Sequence, residues 1–356
     1  MRHFFSRGLH RLSLLVLFFF GFFTALASPD YTEVYHPHIN RAELALAQKN
    51  YETALDLYQQ AFAAVPSPFA KDYFNAAVCA THEGNEKLTY AYLEKLALKG
   101  VDLEYLKKQR GFKPLQESKK WRKFERKYPR YRKNYRQHVN LDLRADLDEL
   151  YARDQYFRQA KGGLRAHIDT LRKIEAANVG VLLRAIEKHG YPGENQIGVG
   201  DTLELLPRFA IVIERQTRFM DGYDFTKILQ EAVQQGRLAP HAAAYLMEKQ
   251  GFGDYKTRAL VKISCGKPKD CENDKRLPDL SKFMKEKLSE TQEENINEQR
   301  LDLGLESLKD YRRKVLFSLT QQEFNFNYPG AVAYYIAPSN EAAHVLTERL
   351  ETIEEL

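Results

Sequence analysis

The chain has 356 residues, 44% of them apolar and 29% charged, with 19 Gly, 13 Pro and 3 Cys. This composition excludes collagen-like, low-complexity and disulfide-dense chains, and the length suits two domains, each large enough to bury a core. The formal charge is +6, and its placement along the chain decides what it means.

Arg2, Arg7 and Arg11 precede the uncharged run from Leu12 to Phe23, and Ala25-Leu26-Ala27 is followed by Ser28. A basic start, a short apolar stretch and small residues before a cleavage point read as a secretory signal peptide over residues 1–27. The run is shorter than the roughly 20 residues that span a bilayer, and no later stretch is apolar for that long. The mature chain is therefore expected to be exported, periplasmic or secreted, with no transmembrane span. Cleavage removes three arginines and no acid, which leaves a net charge of +3. The remaining charge is segregated: residues 107–136 hold 14 Lys/Arg against Glu117 and Glu125, and residues 279–356 hold 9 basic and 15 acidic side chains. An intramolecular charge partner for the basic stretch is thus available.

Tyr51, Ala54, Tyr58, Ala61 and Pro66 are spaced 3, 4, 3 and 5 residues apart, and an advance of 34 residues carries Ala42 to Ala76, Ala45 to Cys79, Tyr58 to Tyr92 and Pro66 to Gly100. These positions resemble a tetratricopeptide-repeat protein over about residues 35–100, although Ala54 maps to Leu88 in the second copy. The resemblance implies helical hairpins that stack into a concave groove for a protein or peptide ligand. Asn40, Lys71 and Asn75 are the expected groove residues. Two repeats leave an apolar face uncovered, and residues 103–124 are expected to cover it. Gly111-Phe112-Lys113-Pro114-Leu115, followed by Trp121 and Phe124, is similar to the degenerate cap that follows repeat pairs in exported bacterial proteins. Repeats and cap together are assigned residues 31–127.

Trp121, Phe124, Tyr128, Tyr131 and Tyr135 step by 3, 4, 3 and 4 residues and share one helix face. Proline is poorly tolerated inside a helix, so a break is expected near Tyr128, with a connecting helix over residues 128–162 that starts at Pro129 and runs through Leu143, Leu147, Leu150 and Phe157. Two readings of the basic stretch follow. The aromatics are core and the cations their solvated back, or Lys119, Lys120, Arg122, Lys123, Arg126 and Lys127 dock on an anionic envelope component. Aromatics interleaved with Lys and Arg also suit single-stranded nucleic acid, which an exported chain seldom meets.

After Gly162-Gly163 a helical domain is expected over residues 163–318. Asn178, Leu182 and Ile186 recur every four residues, His189 complements the helix dipole, and Gly190 and Pro192 end the helix. Asp224 can cap a helix that stops at Gly236, and Pro240 can open one that stops at Gly251. Residues 258–264 are the best strand. Asp279 to Asn297 reads as an acidic helix, and another follows Gly304 through Leu308, Tyr311, Val315 and Leu319. Residues 319–356 form a tail with a terminal helix. The expected fold is mainly α, with at most a small β element.

Asn178, Leu182, Ile186, Lys188-His189-Gly190-Tyr191-Pro192 and Gly198 resemble the opening of a bacterial domain of unknown function that follows tetratricopeptide repeats in exported proteins. Ile296-Asn297-Glu298-Gln299-Arg300, Leu303-Gly304-Leu305 and Leu308 to Tyr311 are similar to its end, so that the two bracket about residues 170–315. The middle departs from that family: a His-Ala-Asp run is replaced by Glu214-Arg215-Gln216-Thr217, and a Tyr-Gly-Thr-Gln-like segment reads Asp254-Tyr255-Lys256-Thr257-Arg258. The resemblance implies no known activity.

No motif calls for a cofactor. His36-Pro37-His38 lacks the acidic or Cys ligands of a zinc site, and there is no Gly-x-Ser-x-Gly. Gly198-Val199-Gly200 lacks the rest of a phosphate loop. Cys265 and Cys271 are close enough in sequence for a disulfide in an oxidising compartment, and Cys79 is expected to be buried in the repeats. Asn178, His189 and Arg300 form the polar trio to test for a pocket. The leading expectation is an exported scaffold of the cell envelope that binds protein or peptide. The alternatives are an enzyme of unknown reaction in residues 165–318 and a cationic docking module.

Overall fold

The computed structural model describes residues 28–199, 202–204, 206–266 and 274–353, so the expected export signal lies outside the described residues. Asp30 caps the short α1 (Tyr31–Val34), and Pro37 sits in the first turn of α2 (His36–Ala47), where its missing N–H costs nothing. With α3 (Tyr51–Ala64), α4 (Ala70–His82) and α5 (Glu86–Lys99) this makes two helical hairpins. The repetition extends to the caps: the side chains of Asn50 and Asn85 accept from the amides of Thr53 and Leu88 at the starts of α3 and α5. Ala54, Ala61, Ala76 and Cys79 are fully buried where the helices approach.

The cover is α6 (Leu103–Lys108), a 3-10 turn over Arg110–Leu115, and α7 (Lys119–His138). The turn presses on α4 so closely that a Cβ on Gly111 would lie 2.8 Å from Val78 Cγ2. Phe112 then packs edge-on against Phe74 at 5.2 Å.

Here the break expected near Tyr128 is corrected. Ser118 caps α7 by accepting from the Trp121 amide, and the helix passes through the exposed Pro129 to His138. The five buried aromatics at helical spacing outweigh the one lost backbone bond. The interruption falls instead at Val139 and Asn140, where Asn140 caps α8 (Leu141–Gln159) by accepting from the Leu143 amide.

α9 (Gly163–His189), kinked at His167, is followed by α10 (Glu194–Ile197), α11 (Ala210–Glu214), α12 (Thr226–Gln234) and α13 (Pro240–Gln250). β1 (Leu260–Cys265) and β2 (Met284–Glu286) come next. The acidic helix expected from Asp279 starts later, as α14 (Glu290–Asp302), because Ser289 and Gln292 form a reciprocal capping box. Asp279 instead closes a turn by accepting from the Ser281 amide and hydroxyl. After α15 (Leu308–Thr320) the tail forms β3 (Val332–Ala337), α16 (Asn340–Thr347) and β4 (Leu350–Thr352). The sheet order is β3-β1-β2-β4, with β1 and β3 parallel and the other pairs antiparallel. The fold is mainly α with this one small sheet.

The hydrophobic cores do not follow the expected division near residue 160. α8 contributes Leu143, Leu147 and Leu150 to a core shared with α9 and α11–α13, so it is part of that body and not a connector. The repeat core, in turn, is completed by Leu308, Tyr311, Val315, Phe324, Phe326, Tyr328 and Ile353 from the end of the chain. The C-terminal segment returns to the repeats and closes their inner side.

Candidate functional site

Residues 323–328 lie along the repeat face as an extended strap. Phe324, Phe326 and Tyr328 are buried at alternate positions. Between them, Asn75 donates from Nδ2 to the Asn325 carbonyl at 3.1 Å and accepts at Oδ1 from the Asn325 amide at 2.7 Å. At the strap's start Tyr51, His82 and Phe324 stack, with Tyr51 and His82 centroids 4.4 Å apart, and His82 Nε2 is 2.9 Å from Glu323 Oε2.

All three expected groove residues are therefore engaged within the chain, which corrects the picture of an open groove. Asn75 holds the strap. Asn40 donates to the Gly304 carbonyl at 3.0 Å, and Lys71 pairs with Glu43 at 2.5 Å. The physical reason is the apolar face that the two helical hairpins leave uncovered, which this chain covers with its own α15 and strap.

Under the strap is a buried charge network that sequence reasoning missed. Glu43 of α2 accepts from Lys71, from Lys314 of α15 at 2.6 Å and from the Tyr328 hydroxyl at 3.3 Å. Lys314 also lies 2.9 Å from Glu306, which is 3.2 Å from His241 Nε2. Burial alone would raise the Glu43 carboxyl, but the Lys314 and Lys71 ammoniums hold it down to about 2. Nearby, Asp72 accepts from the Tyr35 hydroxyl at 2.6 Å and is pushed up to about 6, chiefly by burial. The available signal was an acid in an apolar register: Glu43 stands four residues after Ile39 on the buried face of α2.

The trio of Asn178, His189 and Arg300 is not brought together. Asn178 donates to the Leu150 carbonyl at 3.1 Å and ties α9 to α8. The His189 carbonyl accepts from Arg237 at 2.9 Å and Gln196 at 2.7 Å. Arg300 is fully buried, donates to the Glu306 and Tyr255 carbonyls and lies over the Tyr311 ring. Each is a structural link in a different place. Cys265 is disulfide-bonded, while Cys271 lies outside the described residues.

Nine of the ten Lys and Arg residues of α7 are exposed, and the tenth, Arg132, is half-buried and donates to the Gly100 carbonyl. The aromatic stripe of α7 is buried, and Lys119, Lys123, Arg126, Arg130 and Lys133, which step by 4, 3, 4 and 3 residues, are all exposed on the opposite face. Lys120, Arg122, Lys127 and Arg136 flank this row and are also exposed. Lys120 pairs with Glu86. Among the described residues no carboxylate lies within 4.0 Å of the other eight. The described part of the acidic C-terminal region places no carboxylate within 4.0 Å of these eight. Compared with known proteins, the chain matches no family model, no curated protein and no solved structure.

Proposed function

We propose that this is an exported helical-repeat protein that docks on an anionic phospholipid surface through the outer face of α7. The observation that carries the reading is the straight row from Lys119 to Lys133, exposed and, among the described residues, without carboxylate partners, on the side opposite a buried aromatic stripe. A 20-residue helix is about 30 Å long, and Pro129 is the one apolar residue among its exposed side chains. Such a row suits a flat, repetitive array of charge better than a shaped ligand.

At about 1 kcal/mol for each Lys or Arg held near an anionic membrane, four or five cations in contact give weak, reversible and salt-sensitive attachment. Export is supported by the reading of residues 1–27 and by the disulfide at Cys265, since disulfides persist in oxidising compartments. Among the described residues no helix is long and apolar enough to cross a membrane.

Co-sedimentation with vesicles tests the reading. Binding to phosphatidylglycerol-rich vesicles and none to phosphatidylcholine vesicles is expected. Equal binding to both, or binding to neither, would contradict it. Preference for an anionic polysaccharide or for single-stranded nucleic acid over the vesicles would move the docking surface to another partner.

A further inference from the structure

Away from α7, a cleft of about 400 Å³ opens between α8, the loop that follows α9, Thr202, Glu204, residues 206–209 and residues 237–239, and Phe69 also lines it. Its walls mix apolar side chains, among them Leu147 and Phe209, with three arginines.

The arginines differ in how far they are satisfied. Arg144 faces Asp148 at 3.7 Å and donates to the Ile197 carbonyl at 3.0 Å. Arg237 is fixed by the carbonyls of His189 and Tyr191, at 2.9 and 3.1 Å, and among the described residues no carboxylate lies within 4.0 Å of it. The backbone is built around that side chain. At Gly190, where φ is +71°, a Cβ would fall 2.5 Å from Arg237 Nη1. Arg208 is exposed, sits over the Tyr151 ring at 5.9 Å, and also has no carboxylate partner among the described residues.

Two of the three carboxylates at the cleft face a cation, Asp148 beside Arg144 and Glu194 beside Lys99. Glu194 accepts from the Ala70 amide at 2.8 Å and from Lys99 at 3.3 Å, and Glu204 accepts from the Thr202 hydroxyl at 3.2 Å. Among the described residues the cleft thus holds two guanidiniums without a carboxylate, Arg208 and Arg237, against one carboxylate without a cation, Glu204.

An independent observation comes from Tyr191, which lines the same cleft. Its side chain is 3% exposed, and its hydroxyl is buried without a hydrogen-bond partner. Buried hydroxyls are normally paired, and an unpaired one is destabilising.

We propose that this cleft binds a small organic oxyanion, a carboxylate or a phosphate monoester on an apolar body. Arg208 and Arg237 supply its counter-charge, the Tyr191 hydroxyl donates a hydrogen bond to it, and Leu147 and Phe209 cover its apolar part. The site is separate from α7 and does not depend on the docking reading.

The test is an NMR titration of the full chain with phenyl phosphate and with benzoate, with benzylamine as the cationic control. Saturable shifts of the Gly193 and Gly198 amides are expected with at least one of the two anions and not with benzylamine. Whichever anion binds more tightly identifies the oxyanion. Arg208→Ala and Tyr191→Phe should each weaken binding about tenfold, equivalent to about 1.4 kcal/mol. Arg208 is exposed, so Arg208→Ala should keep the melting temperature of the parent, and Tyr191→Phe, which removes an unpaired buried hydroxyl, should keep or raise it. The proposal is overturned if neither anion shifts the cleft amides at millimolar concentration, if benzylamine shifts them equally, or if both variants bind as the parent does.

Discussion

The Lys314 ammonium lies 2.6 Å from Oε2 of Glu43, with both side chains shut off from solvent, and this contact joins α2 near the start of the chain to α15 near its end. Breaking a buried ion pair from one side strands the other charge and costs about 3–5 kcal/mol. Lys314→Met should therefore destabilise the fold by about that much, measured as the free energy of urea unfolding. Replacing both partners with apolar residues should recover only part of the loss, because Lys71 and Glu306 would each lose a partner too. A cost for Lys314→Met below about 1 kcal/mol, the range of surface pairs, would show that the network does not hold the two ends together.

Asn75 should govern the strap specifically. Asn75→Ala removes both side-chain bonds to the Asn325 backbone, at about 1–3 kcal/mol for buried groups left unpaired. Amide exchange at Asn325 should accelerate well before that of α2 or α4. Uniform acceleration through the repeats would mean that the strap and hairpins open only as one unit.

His36 gives stability a pH dependence whose sign can be stated. Its ring stacks on Phe69 at 5.9 Å with Nε2 buried and unpartnered, and burial, aided by Lys71 and His241, holds the imidazole down to about 3. The unfolded chain takes up this proton near the ordinary 6.5 and the folded chain only near 3. Stability should therefore fall as the pH drops through that window, by about 2 kcal/mol at about pH 5. Asp72, raised to about 6 mainly by burial, acts in the opposite sense: the folded state protonates it first, which favours folding as the pH falls from about 6 toward its ordinary 3.8. His36→Phe should remove the first effect and leave the second. Urea midpoints taken near neutrality and at about pH 5 would check this. An unchanged difference between the two pH values would contradict it.

Pro129 offers a gain in stability. It is exposed inside α7, with no N–H to give the preceding turn, and proline is about 3 kcal/mol worse than alanine within a helix. Pro129→Ala should raise the melting temperature while leaving every cation of the outer face in place. A lower melting temperature would mean that the repeats need the geometry proline imposes.

The helical hairpins were legible in the sequence because Tyr51, Ala54, Tyr58 and Ala61 are local signals whose spacing follows from helix geometry, and α2–α5 lie where that spacing puts them. Pro129 misled because propensity was weighed without the tertiary gain from burying Trp121, Phe124, Tyr128, Tyr131 and Tyr135. The strap was not legible at all. Gln321 to Asn327 has no helical period, and its partner Asn75 is 250 residues from Asn325. The charges of Glu43 and Lys314 likewise read as surface until the fold brings them together. By contrast, the outer row of α7 could be read directly, since a buried aromatic stripe at spacing 3 and 4 forces the residues between to face outward.

The central claim is that α7 docks on anionic lipid through that row. Its most direct measurement is the salt dependence of partitioning onto phosphatidylglycerol-rich vesicles, for the parent and for a variant with Lys123, Arg126, Arg130 and Lys133 changed to Gln. All four side chains are exposed, so the fold should survive, and matching circular dichroism and melting temperature would verify it. The parent should bind at low ionic strength and release as salt screens the charges. The variant should bind at least about a hundredfold more weakly, because about 1 kcal/mol is lost for each cation removed. Equal partitioning of parent and variant across the salt series would contradict the claim.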